Sequence, residues 1–123
     1  MTRLARIAIL TLPLAMGGCF ANATIADKSS SIRRLEALYP EVQRGLSEHC
    51  IGCHGDDGDL QAGLDLRRLV TILEGGQSGP AVVVGRVRDS LLFEMVATEE
   101  MPPDDVKLSP AEIDLIERWI DGS

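Results

Sequence analysis

Apolar residues recur at helical spacing in short stretches of this chain, separated by glycine- and proline-rich segments. Ile32 to Leu38 suits a turn or two of helix, which Pro40 would end at Tyr39, because the residue before a proline avoids the helical region. Pro40 then fits the first position of a second helix from Glu41 to about His49. Val42 and Leu46 share one face of it, with Cys50 next along that face. Leu66, Leu69, Val70 and Leu73 stand at i, i+3, i+4 and i+7, a helical stripe stopped by Gly75 and Gly76. Asp89 or Ser90 can cap a helix through about Ala97, with Leu91, Leu92, Met95 and Val96 inward. Ser109-Pro110-Ala111-Glu112 has the marks of a capping box with proline at the first helical position. Ile113, Ile116, Trp119 and Ile120 give the helix it opens one apolar face, and Gly122 ends it. Between these elements lie a polar loop from Gly55 to Gly63, a turn and short extended run over 77–86, and a loop over 98–107. The pattern predicts a small all-α domain whose long loops need an anchor beyond their own packing.

The first 23 residues do not belong to that pattern. Arg3 and Arg6 precede an apolar run from Ile7 to Met16, followed by small residues. This is the layout of an export signal, too short for a comfortable membrane span. Two cleavage sites compete. Ala21-Asn22-Ala23 would release a soluble chain starting at Thr24, whereas Ala15 to Cys19 resembles a bacterial lipoprotein box in which Cys19 is lipidated. The second gives the third cysteine a use, and cleavage after Ala23 disposes of it just as well; the lipid anchor is slightly preferred. Either leaves a periplasmic protein, in the second case anchored to the membrane by lipid. Residues 24–31, "TIADKSSS", then read as a polar tether.

Charge narrows the partners. The formal net charge is −7, and loss of Arg3 and Arg6 leaves ten basic against nineteen acidic residues, a balance of −9. With no basic stripe, nucleic acid is excluded as a partner; a protein with a basic docking face is accommodated. Two Phe, one Tyr and one Trp leave little planar surface for a core. A bound planar cofactor would supply it.

The candidate chemistry is concentrated in "SEHCIGCHG", residues 47–55. Cys50-Ile51-Gly52-Cys53-His54 is C-x-x-C-H, the attachment pattern of c-type haem. The spacer sets two thiols about one helical turn apart, suited to the two vinyl groups, and His54 is placed as the proximal iron ligand. A thioredoxin-like motif would belong beside a βαβ pattern, and none is visible. A Cys50–Cys53 disulfide would close a very small loop. Zinc would need four well-spread ligands, and His49, Cys50, Cys53 and His54 are too crowded. His49 itself points elsewhere on the helix and reads as a surface or packing residue. For the sixth ligand, Met95 lies on a helical apolar face and reads as core filler. Met101 precedes Pro102 and Pro103, which bias the segment to an extended, stiff form, and is the candidate distal ligand.

Further segments stand in one order with this motif: "GLDL", "GGQSGPAVVVG", "SLLFEMV", "EMPP" and "LSPAEIDLIERWIDG". Together, over about His49 to Gly122, they resemble the planctomycete-type cytochrome c domain, departing from it at Val84, where proline is frequent. The resemblance implies a small cytochrome-c-like helical fold over residues 32–123 around one covalent haem c. It carries Cys50 and Cys53 over as attachment sites, His54 as proximal ligand and Met101 as distal ligand. The expectation is an exported monohaem electron carrier, not an enzyme. The rivals are a haem-based binding or sensing module with a labile sixth ligand, a subunit of a larger redox complex, and a peroxidase-like enzyme.

Overall fold

The computed structural model describes residues 20–55 and 59–122, with side chains from Ile25 onward. Helix α1 spans Phe20–His49, α2 Ile51–His54, α3 Leu69–Glu74, α4 Leu91–Ala97 and α5 Pro110–Asp121. Two 3-10 turns, Gln61–Gly63 and Val87–Asp89, punctuate the loops. Among the described residues there is no strand, only an isolated bridge between Gly76 and Gly79. The all-α expectation is borne out. The export signal and Cys19 lie outside the described residues, apart from the backbone of 20–23 in the first turn of α1.

The two short helices expected around Pro40 are one continuous helix with Pro40 inside it. An interior proline removes a hydrogen bond and costs about 3 kcal/mol. Here Leu35, Val42 and Leu46 are all buried on one side of α1, each worth about 1.5–3 kcal/mol of apolar burial. Continuity keeps the three in register against α5, and that outweighs the local penalty. Residues 24–31, expected as a tether, are helical, with 25–29 exposed.

Helix α5 follows its sequence signals closely. Ser109 Oγ accepts from Glu112 N, and Glu112 Oε2 accepts from Ser109 N at 2.7 Å, so the capping box is reciprocal. Gly122 closes the helix in the left-handed region (φ 75°). Ile116, Trp119 and Ile120 face α1. Trp119 is 0 % exposed, stacks on Tyr39 with ring centroids 6.2 Å apart, and donates from Nε1 to the Leu35 carbonyl at 2.8 Å. The single tryptophan therefore ties the middle of α1 to the end of the chain.

The stripe expected from Leu66 to Leu73 is corrected. Leu66 is buried but lies in a loop, and α3 begins at Leu69. Ile72 is the residue α3 buries, whereas Val70 is 55 % and Leu73 39 % exposed. Starting the helix three residues later turns the stripe away from the core. In α4, Leu92, Phe93 and Val96 are buried, while Leu91 and Met95 line the cleft described below. Ser90 does not cap α4 with its side chain. Its Oγ, fully buried, accepts from Val83 N at 2.9 Å and donates to the Arg86 carbonyl at 3.0 Å, holding the preceding loop.

Replacing Trp119 by Phe keeps most of the stacking area but leaves the Leu35 carbonyl without its side-chain donor. The variant is expected to lose about 1–3 kcal/mol in urea-induced unfolding, with unchanged helical dichroism. A loss under 0.5 kcal/mol would mean that this bond does not tie the two helices.

Candidate functional site

The chain breaks its long helix at Cys50. Cys50 N still donates to the Leu46 carbonyl at 2.9 Å, and the Cys50 carbonyl accepts from Cys53 N at 3.2 Å and His54 N at 2.9 Å. The next turn, α2, therefore starts afresh, with Cys50 and His54 both on a cleft. Gly55 ends it, where a β-carbon would lie 2.5 Å from Ile51 Cγ2 and 3.0 Å from Arg67 Cγ. A side chain there would force the loop off the turn.

The cleft has a volume of about 310 Å³. It is lined by Cys50 and His54, by Leu64, Leu66 and Ala81, by Leu91, Leu92, Met95 and Val96 on the wall from α4, by Gly76 and Gly79 of the glycine-rich loop, and by Met101. At Gly75 the chain takes φ +80°, and a β-carbon would sit 2.4 Å from the Gly79 carbonyl; only glycine allows that return. The structure thus brings three of the four haem residues anticipated from the sequence, Cys50, His54 and Met101, to one cleft. The fourth, Cys53, lies one residue before His54 and is exposed. The Met101 segment bends over 101–105 where a straight extended run was expected. Met101 N donates to the Met95 carbonyl at 3.0 Å, Pro102 is buried, and Lys107 Nζ donates to the Pro102 carbonyl. Met101 itself is 38 % exposed.

A neutral imidazole offers one donor and one acceptor. His54 Nδ1 is buried and has no hydrogen-bond partner, the one such side-chain atom among the described residues. An orphan of this kind costs about 1–3 kcal/mol, which a protein tolerates where a ligand uses the ring. Cys50 and Cys53 are free thiols, with no disulfide joining them. No three His, Cys, Asp or Glu among the described residues converge as a bare-ion site. An apolar cleft lined by the Cys50 thiol, an under-satisfied imidazole and a thioether, with the Cys53 thiol exposed one residue before His54, suits a flat, largely apolar, iron-bearing macrocycle. Cys50, Cys53 and His54 are the residues that would hold it.

Burial pushes the Cys50 thiol up to about 11, with the neighbouring Cys53 adding to the effect. His49 is not part of the cleft. Its Nε2 lies 3.0 Å from Glu112 Oε1, in a hydrogen bond that joins the end of α1 to the start of α5. The carboxyl of Glu112 is held below its usual range chiefly by the Ser109 hydroxyl and backbone N–H, and secondarily by His49.

Sequence reasoning missed the supports of the site. Asp65 is buried; its Oδ1 accepts from Arg67 N at 2.9 Å and Nε at 3.0 Å, and its Oδ2 from Arg67 Nη2 at 3.0 Å. These bonds hold its carboxyl down at about 2. The Arg67 carbonyl accepts from Tyr39 Oη and Gln43 Nε2, both at 3.1 Å. Leu66 N donates to the His54 carbonyl at 2.8 Å. The one signal in the sequence is an Asp and an Arg two apart in "LDLR", which carries no periodicity.

Residues 50–105 match the family model described as Planctomycete cytochrome C. Over that segment this bears out the resemblance drawn from the sequence. The family implies covalently bound haem c and electron transfer rather than catalysis. No curated protein and no solved structure matches the chain.

Because the Asp65 pKa is lowered on folding, its contribution to stability is complete above the ordinary value of 3.8 and is lost as pH falls through about 2. Asp65→Asn should remove that acid limb from a stability–pH profile, and an unchanged profile would contradict the ion pair.

Proposed function

We propose that this chain is an exported monohaem c-type cytochrome that passes single electrons, its haem iron ligated by His54 and Met101. The observation that carries the reading is the convergence of Cys50, His54 and Met101 on one apolar cleft. When bound, the haem supplies the one-electron chemistry. The single C-x-x-C-H in the sequence supports one haem. The chain's own part is to hold the group at two sulfurs, to present His54 from α2 and to bring Met101 over from the loop after α4. A histidine–methionine pair raises the potential relative to other axial sets, and with both positions taken no site is left for substrate. The low-polarity wall from α4 keeps water from the macrocycle and tunes the same potential.

The export signal at 1–23 supports a periplasmic location, with Cys19 the candidate lipid anchor. The acidic balance of the sequence supports a redox partner with a basic docking face, held in a small, weak and salt-sensitive contact.

A second reading is favoured by one observation. Met101 is 38 % exposed on a bent loop, a placement that suits an exchangeable ligand. A sixth ligand that leaves would make the protein a binding or sensing module for a small diatomic molecule.

Met101→Ala separates the two. A carrier with a firm methionine ligand shows the far-red sulfur-to-iron band in its ferric form and resists carbon monoxide when reduced; the variant loses the band and gains carbon monoxide binding. Wild-type protein that takes up carbon monoxide as readily as the variant supports the sensing module. A variant that changes neither property assigns the wrong ligand. Without its occupant the apolar lining of the cleft would face water. Cys50→Ala,Cys53→Ala is therefore expected to lose most of its helical dichroism at 25 °C. Native helix content and an unchanged melting curve would contradict the haem's structural role.

A further inference from the structure

Asp65 is a buried carboxylate that accepts three hydrogen bonds from Arg67. A buried charge is expensive unless paired and fully hydrogen-bonded, and an apolar residue would pack there more cheaply. What the carboxylate secures is backbone. By accepting from Arg67 N and gripping the guanidinium in two places, it fixes the chain direction through 65–67. That direction sets the Leu66 N–H on the His54 carbonyl at 2.8 Å. From the other side, Tyr39 Oη and Gln43 Nε2 of α1 hold the Arg67 carbonyl. The Arg67 side chain also passes over Gly55, the residue after His54, so closely that a β-carbon there would meet Arg67 Cγ at 3.0 Å. The turn that carries the imidazole is thus gripped at its last carbonyl and capped from above, while the imidazole's own Nδ1 makes no hydrogen bond. In many metal-ligating histidines the second ring nitrogen is oriented by a hydrogen bond. Here the orientation has to come through the backbone.

We propose that Asp65 is a positioning residue for His54: through Arg67 and the Leu66 N–H it sets the angle at which the imidazole meets the haem iron. This rests on the reading of His54 as an axial ligand. Asp65 does not line the cleft; it acts on the peptide that carries His54.

The test uses the full haem-loaded chain, compared with Asp65→Asn and Arg67→Lys. The second variant keeps the positive charge but loses the two-pronged grip, so it separates geometry from electrostatics. Ferric low-spin g-values and the paramagnetically shifted haem-methyl resonances report ring orientation at the iron. A purely structural contribution would lower the melting temperature and leave these signals alone. Both variants are expected to show native helical dichroism with shifted g-values and a changed spread of methyl resonances. Asp114→Asn, which breaks the exposed 2.9 Å pair with Arg118 on α5, should match wild type in both. Folded, haem-bearing variants with wild-type signals would overturn the proposal. If Asp65→Asn does not take up haem, Arg67→Lys decides by the same signals. Wild-type chain that carries no covalent haem would instead overturn the proposed function.

Discussion

An apolar cleft cannot be left to water at the centre of a small domain, and most of this structure follows from that constraint. The wall from α4, Leu64 and Leu66, and the glycine loop at 75–79 are turned toward a common space that no side chain fills. The loops that make this wall have few regular hydrogen bonds of their own. They are held by single ties: Ser90 under the 83–86 loop, Gln77 N to the Ala62 carbonyl at 2.8 Å, Met101 N to the Met95 carbonyl. Such ties fix loops relative to one another but do not close the cleft. A rigid planar occupant, attached through two sulfurs, would convert these weakly held segments into one packed body.

The remainder of the domain is a frame for the turn that carries Cys50, Cys53 and His54. Helices α1 and α5 pack against each other, with Leu35, Val42, Leu46, Ile116, Trp119 and Ile120 in one core, the Trp119–Tyr39 stack between them, and the His49–Glu112–Ser109 network at one end. Cys50 follows directly on α1, so that turn inherits the position of the most firmly packed element. Tyr39 belongs to both systems: its ring stacks on Trp119 and its hydroxyl holds Arg67. Through that residue the packing of the frame reaches the peptide next to His54.

What could be read from the sequence was what is local. The capping box at Ser109, the apolar face of α5 and its glycine stop are each specified within a few residues, and the structure places them as read; C-x-x-C-H is equally local in the sequence. The breaks came where distant contacts overrule local rules. Pro40 signals a helix boundary, yet the shared face of Leu35, Val42 and Leu46 against α5 carries the helix through it. Leu66 begins a helical stripe on paper, but its N–H is taken by His54 and its neighbour Arg67 by Asp65, so α3 starts later and buries Ile72 instead. Glu112 was legible as a cap but not as the partner of His49, far away in the chain. Asp65 was illegible as a support, because a single Asp two residues from an Arg has no period and its meaning depends on Tyr39, Gln43 and His54 arriving from elsewhere. The scarcity of aromatics pointed to a cofactor, although the one tryptophan proved to be the largest fully buried side chain among the described residues.

The central claim is that one macrocycle is bonded to the sulfurs of Cys50 and Cys53 inside this cleft. Mass spectrometry of the chain, produced in full in a bacterial host able to mature c-type cytochromes outside its cytoplasm, tests it most directly. The account predicts a mass increment of one haem, retained on the proteolytic peptide that contains both cysteines. A matured chain of unmodified mass, with both thiols open to alkylation, would contradict it.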